Sequence, residues 1–508
     1  MRRVHATTGL SGLFADAIPR IFESPAPITH IDPQLTPSDI VKTARDKHPR
    51  INFTDDFARA LSEMDGTDGV LFITGEAGTG KSTLLQCFRA STKKNIAVVA
   101  PTGVAAINVG GQTIHSFFKF PPAPISTIEI ERAKNSKMYR ALDALVIDEV
   151  SMVRADLMDG IDRFLRVNGR DARVPFGGIP LILIGDLFQL PPVVQQGPEM
   201  EYLRREYASP YFFSARAFRS TGIKMLRLGN VFRQKDDEFI RLLNAIRTRT
   251  VSREDMDLLN QQFRPQFQPP EDEAWVTLTA TNRVADAINR REIGRLKTKQ
   301  YLFEGETTGR FARLNEHNLP APPGLALKEG AQVMFLRNDP SGRWVNGTMG
   351  RVKRLKDDVI EVEVGGPGGP VEKVERGSWE MYEYVFDARN NRLEAEVAGT
   401  YEQYPLRPAY AITIHKSQGK TFERVIVDLG GGAFAHGQTY VALSRLVRLD
   451  GLVLRRPLSP RDLILDPEVT AFAGNSEIGN QRAEIRNQKS EIRDQKSEIR
   501  DQNEGFAF

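Results

Sequence analysis

The stretch VLFITGEAGTGKSTLLQCFRAS, residues 70–91, constrains this chain more than any other. A short β-branched apolar run reads as a buried strand, a turn with Gly-x-x-x-x-Gly-Lys-Ser spacing follows, and a helix-forming stretch closes the unit. A chain of this length and glycine content would produce that pattern by chance roughly 0.02 times. Backbone N–H groups in such a turn converge on phosphate oxygens, the helix start adds its positive end, and Lys81 supplies a point charge. Gly75, Gly78, Gly80, Lys81, Ser82 and Thr83 are therefore candidate nucleotide-binding residues, with Ser82 a ligand for Mg²⁺.

Further apolar runs, IAVVA, ALVID, LILIGD, VTLTAT and ERVIVDLG, alternate with helix-length polar stretches. They read as strands buried on both faces of a parallel sheet, so the fold class is α/β. The alternation stops near residue 300 and resumes near 408, and between them DDVIEVEVGG followed by GGPGGP reads as an antiparallel strand with a tight turn. ALVIDEVSM places Asp148 and Glu149 at a strand end. Beside a phosphate-binding turn, Asp148 would hold the metal and Glu149 would take a proton from attacking water. LILIGD leads into FQLPP, where Gln189 would sense the γ-phosphate or orient water. Arg233 in GNVFRQ and Arg445 in YVALSRL are candidate catalytic guanidiniums from a second domain; judged alone, each reads more readily as a surface salt-bridge residue.

Composition narrows the class. One Cys in 508 residues excludes a disulfide framework and cysteine-rich metal sites. No run approaches the roughly 18 apolar residues of a membrane helix, and the interrupted N-terminus lacks a secretory signal, so a cytoplasmic, bacterial-type location and no membrane partner are expected. The net charge of +4, from 69 Lys+Arg and 65 Asp+Glu, does not by itself announce a nucleic-acid partner.

The blocks GEAGTGKS, APTGVAA with GGQTIHSFF, VIDEVSMV, GDLFQLPPV, VFRQ, AITIHKSQGKTF and YVALSR occur in that order over residues 50 to 456. This series resembles the motifs of superfamily 1 helicases, specifically the petite-integration-frequency (Pif-type) DNA helicases, with RecD subunits as relatives. The resemblance implies two RecA-like P-loop NTPase domains. The first spans 46–225 and carries a small wedge insertion near 119–137. The second spans 226–304 and 403–460, interrupted at 305–402 by a small Src-homology-like β-barrel. Residues 1–45 read as a flexible arm. Residues 461–508 read as a low-complexity tail, whose four heptads carry one isoleucine each and leave a weak oligomerisation seam as the alternative.

The resemblance further implies ATP and Mg²⁺ as cofactors, Glu149, Gln189, Arg233 and Arg445 as catalytic residues, and Gln418 and Gly419 at the nucleotide. Thr102, His115, Phe117, Thr413 and His415 match positions that touch DNA. Thr and His can bond phosphates, and Phe117 or Phe118 would stack on a base. KFPPAPIST reads either as a strand-splitting protrusion or as a rigid loop. The implied activity is ATP-dependent, 5′-to-3′ translocation and unwinding of single-stranded and tailed duplex DNA by a monomer. The alternatives are an ATPase motor subunit of a larger recombination or conjugation complex, and an RNA helicase. In one respect the sequence departs from the family: INFTDDFARAL lacks the glutamine whose amide reads adenine.

Overall fold

Alternation within single strands decides how the first half folds. In the computed structural model, described for residues 37–474 except 122–124, 126–128, 196, 235, 272, 367, 388 and 391, β1 (Val70–Gly75) is buried throughout. Val70 and Phe72 enter one apolar cluster, while Leu71 and Ile73 enter another on the opposite side, because successive side chains of a strand point to opposite faces. The same division holds for β2 (Ile96–Ala100), and, beyond the short β3 (Gln112–Thr113), for β4 (Ala144–Ile147) and β5 (Leu181–Ile184). With β6 (Lys224–Leu228) these strands form one parallel sheet in the order β3-β2-β4-β5-β1-β6. Leu61 and Met64 of the helix Asp55–Gly66 and Leu84 and Phe88 of the helix Lys81–Ser91 cover one face. The helix Ala155–Asn168 covers the other with Met158, Ile161 and Leu165. Each such side chain contributes about 1.5–3 kcal/mol when fully buried.

β7 (Val276–Thr279) begins a second parallel sheet. Ten strands intervene before that sheet resumes: β8 (Gln300–Glu304), β9 (Glu306–Thr307), β10 (Gly324–Lys328), β11 (Gln332–Phe335), β12 (Met349–Lys356), β13 (Val359–Val364), β14 (Val371–Val374), β15 (Gly377–Asp387), β16 (Arg392–Gln403) and β17 (Leu406–Pro408). The sheet is completed by β18 (Ala411–Thr413), β19 (Val425–Asp428) and β20 (Leu452–Leu454), in the order β18-β7-β19-β20. Asn289, on the helix Asn282–Arg295, closes the free edge of β18 by donating to Ala411 O (2.8 Å) and accepting from Ala411 N (2.9 Å).

The insertion is antiparallel, and its strands begin and end where the strand–helix alternation breaks in the sequence. The expected closed β-barrel is absent among the described residues. The strands instead separate into a five-stranded sheet, a β10-β8 pair and a three-stranded sheet around the long β15-β16 hairpin. The turn after β13 uses Gly365, Gly366 and Gly368, all at positive φ.

Other expectations change at their edges. Residues 37–47 form a helix whose Ile40 and Ala44, one turn apart, are buried where it packs on the helices Asp55–Gly66 and Lys81–Ser91, so this part of the expected arm is core; residues 1–36 lie outside the described residues. Within the expected wedge, Phe120 and Ile125 are buried against the helix Ala155–Asn168, and Arg163 donates to Ile125 O (2.8 Å). Of that stretch 122–124 and 126–128 lie outside the described residues, and its end enters the helix Ser136–Arg140. The heptads at 476–503 do as well, but the start of the tail packs. Leu463 and Val469 are buried, and Phe472 of the helical stretch 467–474 stacks on Phe213 at 4.4 Å. Phe472→Ala should lower stability by about 2 kcal/mol, less than a fully buried Phe. The readout is a lower denaturant midpoint at unchanged slope, and an unmoved midpoint would refute the packing role of this segment.

Candidate active site

Gly78 and Gly80 adopt φ of +89° and +85°, which only glycine takes without strain. A Cβ on Gly78 would lie 2.6 Å from Cβ of Arg233, so the turn and the segment carrying Arg233 meet backbone to backbone; Phe232 N donates to Gly78 O at 2.9 Å. Lys81 Nζ donates to Gly75 O (2.7 Å) and Glu76 O (2.9 Å), which holds the ammonium over the turn. Burial pushes the Lys81 ammonium down, while Asp186 and Glu149 oppose the shift. Ser82, exposed at the helix start, and the half-buried Thr83 complete the cradle.

Asp148 and Glu149 follow β4 directly. Burial raises both carboxyls, and for Asp148 the neighbouring Glu149 adds to the shift. Glu149 sits at φ 49°, a left-handed turn that separates the direction of its side chain from the strand. Asp186, at the end of β5, is 1% exposed. Burial works against its charge, but Arg247 and Lys81 hold the carboxyl below the usual range. Gln189 donates to Asp186 Oδ2 at 3.3 Å, which keeps its amide in the same cluster. Among the described residues no group of three or more His, Cys, Asp or Glu forms a metal cage. One carboxylate and one hydroxyl, Asp148 and Ser82, are the donor set expected where phosphates supply the remaining oxygens to Mg²⁺.

Arg445 is 1% exposed yet has no ion pair among the described residues. Its guanidinium donates to Val441 O (3.0 Å) and Ser444 Oγ (2.8 Å) and reaches Ser417 O at 3.5 Å. Arg233 donates to Ser444 O at 3.1 Å and likewise has no carboxylate partner. Burial, and then the adjacent Arg233, push Arg445 down to about 9; burial pushes Arg233 down to about 10. Both remain charged at neutral pH. Gln418 contributes a buried Nε2 without a partner, whereas Gly419 is an open position at φ 74°.

Two residues that the sequence reading passed over organise this cluster. Tyr440 OH accepts from Ala77 N (3.0 Å) and approaches Asp186 Oδ2 at 3.4 Å, joining the turn, the loop after β5 and the helix Gln438–Leu443. Arg247 pairs with Asp186 (3.2 Å) and lies 4.0 Å over the Phe188 ring. Tyr440 lies within YVALSRL and was open to notice. Arg247 carries no sequence signal beyond its place on an amphipathic helix.

The expected DNA contacts divide. Thr102 Oγ1 caps the helix Gly103–Asn108 by accepting from Ala105 N, and Thr413 Oγ1 accepts from Lys416 N. His115 and His415 are half-buried, and burial lowers both below the ordinary imidazole value. Phe117 is corrected: at 1% exposure it packs edge-on against Phe118, Tyr139 and Tyr384 and presents no free face to a base. Phe118 is equally buried. A basic group near the second set was missed. Lys420 donates to Asn346 Oδ1 at 2.6 Å, and burial, then Arg407, push its ammonium down to about 7.

A phosphate-cradling turn beneath a parallel sheet, two acidic strand ends and two guanidiniums from across a cleft define a P-loop nucleoside triphosphatase. The sequence profile of PIF1-like helicases matches residues 57–257. A relative from Bdellovibrio bacteriovorus, the ATP-dependent DNA helicase Pif1, is 32% identical over 430 residues, covering 83% of this chain and 92% of its own. The Pif1 structure from Bacteroides sp in complex with ADP-AlF4 superposes with a TM-score of 0.77 at 33% identity, over 84% of this chain and 98% of that one. The ssDNA-bound Bacteroides Pif1 gives a TM-score of 0.60 at 34% identity, over 85% and 98%. The chain belongs to the PIF1-like helicase family.

Lys81→Ala and Glu149→Gln should each reduce nucleotide hydrolysis by at least about 100-fold, since proton transfer alone contributes 10²–10⁴-fold. Steady-state phosphate release measures this, and turnover within a few-fold of the parent in either variant would remove that residue from the site.

Proposed function

We propose that this chain is an ATP-dependent DNA helicase that translocates 5′-to-3′ on single-stranded DNA and unwinds duplex, in repair, recombination or genome maintenance. The six- and four-stranded parallel sheets serve as two RecA-like halves with ATP between them, and the chain acts as a cytoplasmic monomer. The observation that carries this reading is the pair of guanidiniums, the buried Arg445 and the half-buried Arg233, held near Glu149 and Lys81 without an ion-pair partner among the described residues. Two uncompensated charges in a desolvated cleft are costly unless an anion completes them, and a γ-phosphate is such an anion.

Ser82 and Asp148 would hold Mg²⁺, which when bound supplies charge neutralisation at the β- and γ-phosphate oxygens. Glu149, with its carboxyl raised by burial, is a stronger base and takes the proton of the attacking water; Gln189 orients that water. Arg445 lies at the end of the helix Gln438–Leu443 in the second half, so neutralising the developing charge requires the two halves to close. Thr102 and His115 on the first half, and Thr413, His415 and Lys420 on the second, would grip DNA phosphates without reading bases. That the Bacteroides relatives bind ADP-AlF4 and ssDNA supports both parts.

Arg445→Ala should leave nucleotide affinity within a few-fold and lower kcat by about 10³-fold; an unchanged kcat would refute the finger role. Purified chain should displace a strand from a 5′-tailed duplex and not from a 3′-tailed one. ATPase activity without displacement would instead identify a motor subunit, and preference for an RNA tail an RNA helicase. A charged Lys420 attracts phosphate and a neutral one does not. Because its ammonium titrates near 7 and both histidines are already neutral there, ssDNA affinity should fall as pH rises from 6.5 to 8. Lys420→Arg should flatten that dependence in a fluorescence anisotropy titration, and an equally steep profile would refute the contact.

A further inference from the structure

We infer that the base end of the nucleotide site is a stacking platform with no buried hydrogen-bonding reader among the described residues, so that the chain hydrolyses purine and pyrimidine nucleoside triphosphates with little discrimination. This inference rests on the triphosphatase reading above and specifies its substrate class. The γ-phosphate side of the turn is marked by Glu149, Asp186 and Arg445, so the nucleoside leaves the cradle on the other side, past Gly80. A Cβ built on Gly80 would meet only aromatic carbons there, those of Phe232 and Phe57, each at 3.9 Å. Phe232 is 47% exposed, beside a phosphate cradle, and its backbone is fixed to Gly78 O. An exposed ring held rigidly at that place offers a π-face to any base. Phe57 is 3% exposed and braced edge-on by Phe53 at 5.2 Å. It gives the platform an apolar wall where a reader would need an amide.

The polar side chains of this corner are committed to one another. Asp56 Oδ1 accepts from Phe57 N and Asn230 Nδ2, both at 2.9 Å, and from the Thr54 hydroxyl, while Asp56 Oδ2 accepts from Gly229 N at 2.8 Å. The carboxylate therefore latches the segment carrying Phe232 and Arg233 to the helix Asp55–Gly66 and, only half-buried, is not a desolvated reader. Asn52 and Asn230, the amides of the two segments, are exposed, and water competes for any hydrogen bond they offer. Discrimination of about 10⁴-fold or more requires buried polar groups that a wrong ligand leaves unpaired, whereas apolar surfaces separate related ligands by about 10–200-fold at most. Stacking on one ring falls at the bottom of that range.

The test is steady-state hydrolysis of ATP, GTP, CTP and UTP by the full chain with saturating single-stranded DNA. The four kcat/KM values should agree within about tenfold. Phe232→Ala should raise KM about tenfold for every nucleotide while kcat stays within about twofold, and Asn230→Ala should leave the ratios between nucleotides unchanged. A preference for one base beyond tenfold, a Phe232→Ala effect confined to one nucleotide, or loss of ATP preference in Asn230→Ala would each overturn the inference. Hydrolysis restricted to ATP refutes only the base platform; absence of hydrolysis with all four refutes the triphosphatase reading itself.

Discussion

The molecule is organised around one desolvated carboxylate. Asp186 ends β5 with almost no exposure, and burying a lone carboxylate is prohibitive without partners. Its partners come from every element that matters to the site: Arg247 from beyond the first sheet, Tyr440 from the second half, Gln189 and Phe188 N from its own loop, and Lys81 through space. Removing it would leave the buried Arg247 with only Glu76 at 4.0 Å and would take away the acceptor that Tyr440 and Gln189 share. The geometry of the cleft thus follows from satisfying a single charge.

What could be read from sequence was what is local. The phosphate turn, the acidic strand ends and the parallel strands are encoded within stretches of about ten residues, and the structure sets Lys81 close to Glu149, Asp186 and Arg233. The glycine turn after β13 was legible for the same reason. Contacts between distant segments were not. Arg247 reaches Asp186 across 61 positions and Tyr440 reaches Ala77 across 363, and neither is foreshadowed by spacing. The helix at 37–47 was hidden by its Pro, Ser and Thr neighbours, although its two core residues lie a turn apart. Phe117 was misassigned because an aromatic after a turn looks the same in sequence whether its ring faces a base or, as here, Tyr139 and Tyr384.

A net charge of +4 hides strong local imbalance. Around the second DNA motif, Arg407, Lys416 and Lys420 repel one another, with Asp286 the acid that most offsets Arg407 and Lys416. At the nucleotide site Lys81, Arg233, Arg247 and Arg445 face Asp148 and Glu149, whose carboxyls burial raises, and Asp186, which Arg247 and Lys81 hold down. Charge is concentrated where an anion must arrive and balanced by paired residues elsewhere, such as Lys224–Glu63 and Arg216–Glu206. A motor that must release its track each cycle is better served by a few strong local contacts than by a uniformly basic surface.

The chain crosses between the two halves more than once, and this limits how they can move. The β15-β16 hairpin of the insertion docks on the first sheet, where Tyr384 OH accepts from Val98 N at 2.9 Å and Glu383 pairs with Lys119 (2.8 Å) and Arg310 (2.6 Å). The segment after β20 returns to lay Phe472 on Phe213. His436, neutral because of burial, spans the gap with Nε2 donating to Leu187 O (2.7 Å) and Nδ1 accepting from Asp466 N (2.9 Å). Full separation would give up the His436–Leu187 bond, worth about 0.5–1.5 kcal/mol net, together with the Phe472 stack. Under the proposed function, closure on nucleotide would exchange contacts across this interface, with Arg233 and Arg445 trading carbonyl partners for phosphate oxygens. Ser417, which accepts from Arg445, lies on the same short turn as His415, just after β18 and its Thr413, so that exchange would reach the segment proposed to hold DNA.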